Sequence, residues 1–132
     1  MLRKLFIISS VLFALTLGTS IVSAQNWENL GSRTVNDRAD HDTWNVGAGK
    51  GEFRKIKLTV QRRAVRFIKL TVKFENGQTQ DIELQNTIPA GGSTRVIDLA
   101  GNDRRIDKVD VWYEAQTVRR GARSQVTLHG MK

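Results

Sequence analysis

FRKIKLTVQRRAVRFIKLTVKF, Phe53–Phe74, is the stretch on which the fold turns. Ile56, Leu58 and Val60 alternate with Lys55, Lys57 and Thr59, and Ile68, Leu70, Val72 and Phe74 alternate with Lys69, Thr71 and Lys73. Side chains switch faces at every residue of a strand, so each run has an apolar and a basic side. The spacing predicts two strands joined by a polar turn, Gln61–Arg62–Arg63. If they pair around that turn, Lys55, Lys57, Lys69 and Lys73 share one sheet face, Arg62 and Arg63 cap its end, and Phe67 is the aromatic that faces out with them.

The chain around this core reads the same way. Leu30–Val35 and Thr43–Val46 are short strand candidates, the second with Trp44 and Val46 on one side. Asn76-Gly77 is a tight hairpin corner, since this pair accepts positive φ. Thr79–Gln85, Thr94–Leu99, Ile106–Ala115 and Ala122–His129 follow, separated by turns rich in Gly, Asn, Pro or Arg. Val109, Val111 and Tyr113 are expected inward, and Asp110, Trp112 and Glu114 outward. Short alternating runs with turn signals about every ten residues indicate an all-β antiparallel sandwich, jelly-roll-like or immunoglobulin-like. No helical stretch follows the N-terminal segment.

That segment has its own signature. Arg3 and Lys4 precede an apolar run, Leu5–Leu17, and small residues end at Ala24. This is the pattern of a secretory signal peptide, residues 1–24, cleaved after Ala24. The run falls short of the roughly 20 residues a spanning helix needs. Residues 25–132 then form one domain, exported to the periplasm or beyond, with no transmembrane span. The chain has no Cys, so disulfides contribute nothing and apolar burial between sheets must hold the domain.

The formal net charge is +8, of which Arg3 and Lys4 supply two, leaving +6 on residues 25–132. Such a surplus favours anionic partners: a glycan, a lipid head group, or an acidic face of another envelope protein. Nucleic acid is disfavoured by export and by sparse aromatics beside the lysines, because single strands are held by several stacking rings. The bland alternative is that lysines guard exposed strands against sheet-to-sheet aggregation.

Other constellations compete with the basic face. Asp37, Asp40, His41 and Asp42 crowd one loop, and dense oxygen ligands can hold Ca²⁺. The same carboxylates could instead cap their own turn or pair with Arg104 or Arg105. Zinc has only His41 and His129 besides acids. The carboxylate pairs Asp40/Asp42 and Asp107/Asp110 allow hydrolysis on paper, but nothing suggests a cleft between them. Ser93, Ser124 and His129 form no nucleophile motif. Trp112 could stack on a sugar or pack within the sandwich.

The order Leu30-Gly31, Asp40-His41-Asp42, a lysine-rich hairpin, Asn76-Gly77, Gly91, Leu99-Ala100-Gly101-Asn102-Asp103-Arg104, Tyr113 and a final strand from Ala122 to Gly130 resembles a family of small exported bacterial proteins of unknown function. The resemblance implies a compact β-sandwich in the cell envelope and brings no catalytic residues. The expectation is therefore a non-enzymatic envelope protein that binds an anionic component without a cofactor. The alternatives are a calcium-stabilised carbohydrate-binding module using Asp37–Asp42 and Trp112, and a small hydrolase.

Overall fold

A computed structural model describes residues 26–36, 40–114 and 123–132. The segment read as a signal peptide, Asp37, and the arginine-rich turn Thr117–Gly121 lie outside the described residues. Among the described residues, nine strands form two antiparallel sheets: β1 (Trp27–Asn36), β2 (His41–Asn45), β3 (Glu52–Phe53), β4 (Lys55–Gln61), β5 (Val65–Phe74), β6 (Thr79–Ile88), β7 (Ile97–Asp98), β8 (Arg104–Tyr113) and β9 (Arg123–Met131). Sheet one has the order β1-β9-β4-β7. Sheet two has the order β2-β8-β5-β6, with β3 on the end of β8. A three-residue 3₁₀ turn, Ala48–Lys50, is the one helical element among the described residues.

The core lies between the sheets, where the alternation of each strand predicted it. Ile56, Leu58 and Val60 of β4, Leu70 and Val72 of β5, Val109 and Val111 of β8, and Val126 and Leu128 of β9 are fully buried. Burying each such side chain contributes about 1.5–3 kcal/mol. Gly130 of β9 keeps this interior closed, because a Cβ there would stand 2.7 Å from Phe53 Cδ1 and 2.9 Å from Leu30 Cδ1.

The expected pairing within Phe53–Phe74 does not form. β4 pairs with β9 and β7, and β5 pairs with β6 and β8, so the two strands lie in opposite sheets. The link Arg62–Ala64 is an arch over the core, not a hairpin. Buried Ser124 pins it, with Oγ 2.8 Å from the Gln61 carbonyl and 2.6 Å from that of Arg63. Lys55 and Lys57 consequently face out from sheet one, and Lys69 and Lys73 from sheet two.

A second correction falls inside β5. Phe67 is buried and Ile68 is half-buried, the reverse of strict alternation. Against β8, Phe67 pairs with Tyr113 and Lys69 with Trp112, so Ile68 is the extra residue of a β-bulge. The bulge swaps faces at this point and leaves Lys69 outward. The candidate strand Thr94–Leu99 shrinks to Ile97–Asp98, with the neighbouring loop bonded to β4 through Val60 N to Gly92 O and Thr94 N to Leu58 O. The polar lead-in to Leu30 is the start of β1, which places Trp27 on a sheet edge.

Candidate anion-binding surface

Three cationic regions follow from this topology. The first is the outer face of sheet two, where antiparallel register aligns side chains in rows. His41, Trp112, Lys69 and Glu83 form one row, Thr43, Asp110, Thr71 and Asp81 the next, and Asn45, Lys108, Lys73 and Thr79 the third. Lys73 and Lys108 stand directly opposite each other, and neither makes an ion pair within the described residues. Like charges in this position repel. Acids interleave the cations here: Asp110 accepts a 2.5 Å hydrogen bond from Thr43 Oγ1 and lies 3.1 Å from His41 Nε2, and Asp81 accepts from Thr71.

Trp112 is outward, as expected from its place beside Tyr113. Its ring is flanked from both neighbouring strands. His41 of β2 stacks on it at 4.6 Å, and Lys69 Nζ of β5 lies 4.8 Å from its centroid. A sugar stacking on Trp112 would have to displace one of them.

The second region is the outer face of sheet one. Lys55 is engaged by Asp98 at 2.8 Å, but Lys57 lies over the Trp27 ring at 4.3 Å. Thr59 Oγ1 and His129 Nε2 are 2.9 Å apart. Burial, and then the charge of Lys57, push the His129 imidazole below its ordinary range. Its neutral form is therefore favoured near pH 7.

The third region is one end of the sandwich. Arg62 and Arg63 occupy the arch between β4 and β5, and Arg123 opens β9 beside the Ser124 that pins it. All three are exposed, and none makes an ion pair or side-chain hydrogen bond with a described residue. Arg62 holds φ 84°, a left-handed conformation that costs a non-glycine residue about 1–2 kcal/mol.

The described part of the acidic loop is tied to Tyr113. Asp42 Oδ2 accepts the Tyr113 hydroxyl at 2.9 Å, and the Asp40 carbonyl accepts Tyr113 N at 3.0 Å. Burial, followed by the Asp42 carboxylate, pushes the Tyr113 hydroxyl well above the usual tyrosine range. Among the described residues no three acid or histidine side chains converge on one point. Among the described residues, Arg104 and Arg105 have partners outside this loop. Arg104 stacks on Phe74 at 3.8 Å and donates to Ala100 O and Gln78 Oε1, while Arg105 faces Glu52 at 3.9 Å and donates to Ala48 O. A concavity of about 190 Å³ beside Phe74 and Glu75 is lined by these same arginines. The Asp107 carbonyl holds Val46 N and Gly47 N at 3.0 Å.

Residues that carried the family resemblance thus do structural work. Gly31, at φ 126°, sits at a bulge of β1, and its carbonyl accepts the Trp44 indole N–H at 2.9 Å. Gly77 turns the β5–β6 hairpin at φ 89°, and Arg104 ties that hairpin to the 99–103 turn. The model of a family described as a domain of unknown function, DUF2541, matches residues 7–130. The chain belongs to that family. No curated protein matches it. Among solved structures it is similar to AlgX of Pseudomonas aeruginosa, with 19% sequence identity and a TM-score of 0.47 over 80% of this chain and 27% of the AlgX chain. It therefore spans about a quarter of that protein's length. Among the described residues no helix is long and apolar enough to cross a membrane.

The sequence alone marks neither Trp27 nor Arg123 as a binding residue. The lysine-rich alternation drew attention to β4 and β5, whereas Trp27 gains its position only from the pairing of β1 with β9 and β9 with β4. Arg123 gains its position from the closeness of Ser124 to the arch.

Proposed function

We propose that residues 25–132 are an exported, non-enzymatic binding domain that holds an anionic component of the cell envelope against its cationic surface. One observation carries the reading: Arg62, Arg63 and Arg123 are brought to one end of the sandwich, exposed and without a carboxylate partner among the described residues. Solvated arginines left unpaired, one of them in a strained backbone conformation, suit bidentate contact with carboxylate, sulfate or phosphate oxygens. Lys73 and Lys108 extend the positive field on sheet two. The leader with Arg3, Lys4 and the Ala24 cleavage site supports export.

Binding is favoured over catalysis by how the reactive groups are spent. Ser124 lies buried beneath the arch, Asp42 is held by Tyr113, and Asp110 by Thr43 and His41. The test is retention of the processed protein on immobilised polyanions and on anionic vesicles at low and high salt. Retention should fall with salt, because exposed charges are screened. The Arg62→Gln/Arg63→Gln/Arg123→Gln variant should lose most of it with an unchanged melting temperature. Equal retention of variant and parent would sink the reading.

A further inference from the structure

The two outer faces differ in one respect that bears on the partner's chemistry. Sheet two interleaves Asp81, Glu83 and Asp110 with its lysines. On sheet one the outward positions are Trp27, Asn29, Ser32 and Thr34 of β1, Gln125, Thr127, His129 and Met131 of β9, and Lys55, Lys57, Thr59 and Gln61 of β4. None is a carboxylate. Among the described residues, an anion approaching this face meets no repelling acid until Asp98 of β7, which Lys55 neutralises.

Trp27 is also placed unlike Trp112. β8 is a central strand, so Trp112 is flanked on both sides. Among the described strands β1 is an edge strand, with β9 on one side of Trp27, and from that side Lys57 of β4 reaches across β9 to its ring. Lys57 makes no ion pair among the described residues. Beside these two lie neutral hydrogen-bonding groups: Thr59 with His129 at 2.9 Å, and Ser32 with Thr127 at 2.7 Å. An indole, an unpaired ammonium and a row of hydroxyls match a sugar ring that carries an acid group. The C–H face of the ring lies on the indole, the acid meets the ammonium, and the ring hydroxyls meet Thr59 and the exposed Ser32, whose partner Thr127 is buried. A polyphosphate chain or a phosphate head group has no apolar ring face to offer Trp27.

We infer that the outer face of sheet one binds an acidic polysaccharide, with Trp27 beneath a sugar ring and Lys57 on its carboxylate or sulfate. This rests on the proposal that the partner is anionic, and adds its chemical class.

The experiment uses polygalacturonate as the acidic-sugar probe, with polyphosphate and dextran as comparators, read by affinity electrophoresis and tryptophan fluorescence. The parent should bind polygalacturonate and not dextran. Trp27→Ala and Lys57→Gln should each weaken polygalacturonate binding by about tenfold or more while lowering polyphosphate retention by less than about twofold. Lys57→Gln alters only a half-exposed side chain, so it decides the matter if Trp27→Ala melts early. Undiminished polygalacturonate binding by Lys57→Gln overturns the inference. So does a parent that is retained on polyphosphate but not on polygalacturonate, an outcome that leaves the arginine reading standing. A parent that ignores every polyanion removes both.

Discussion

Tyr113 donates its phenolic hydrogen to Asp42 at 2.9 Å, joining the inner side of β8 to β2 at the edge of the core. Tyr113 is 1% exposed, so its hydroxyl has exchanged water for this one carboxylate. Tyr113→Phe should destabilise the domain by about 1–3 kcal/mol, the usual cost of stranding a partly buried polar group.

The same bond gives an alkaline signature. Burial and Asp42 raise the folded-state pKa of Tyr113 above that of the unfolded chain. The unfolded state therefore loses its proton first, at about pH 10, and the stability held below that pH is lost as pH rises toward the folded value. Urea unfolding across this range should show a steeper alkaline decline for the parent than for Tyr113→Phe. Parallel curves would contradict the assignment.

His129 should act in the acid direction. Its folded pKa is lowered, first by burial and then by Lys57. The contribution is present above the unfolded value of about 6.5 and is lost as pH falls through it, since the unfolded chain then binds the proton more readily. Replacing His129 with Gln should remove this acid loss. Lys57→Gln should raise the His129 pKa only in part, because burial remains, and a proton NMR titration of the imidazole measures it.

Arg62 is expected to trade stability for binding. Glycine accepts φ 84° without a Cβ clash, so Arg62→Gly should raise stability by up to about 1 kcal/mol while lowering retention on polyanions. Chemical denaturation and salt-dependent retention on the same sample check both halves. A variant that is both less stable and fully retained would contradict them.

Gly130 is a packing position. A methyl group there meets Phe53 and Leu30 at 2.7–2.9 Å, and both belong to the closed interior. Gly130→Ala should cost about 1–3 kcal/mol through overpacking, seen as a lower denaturant midpoint with an unchanged slope.

Several elements of the fold were legible as local pattern. The inward sets Val109-Val111-Tyr113 and Ser124-Val126-Leu128 could be read from alternation, because period two is a property of the strand itself. The Asn76-Gly77 corner could be read because the turn's backbone angles select its residues. Ile68 and Phe67 could not be assigned, since a bulge arises from the mismatch between β5 and its partner strands and leaves no mark in β5 alone.

From the sequence alone one can know that extended segments bury alternate residues in a shared interior, and that lysines and arginines predominate among the charges left outside. Only the tertiary structure decides which cations are neighbours. A short polar link between two alternating runs serves equally as a hairpin within one sheet or an arch between two, because either way the apolar sides reach the core. The choice rests on pairing with β9, β8 and β6, distant in sequence. That pairing separates Lys55 and Lys57 from Lys69 and Lys73, draws Arg123 to Arg62 and Arg63, and sets Trp27 beside Lys57.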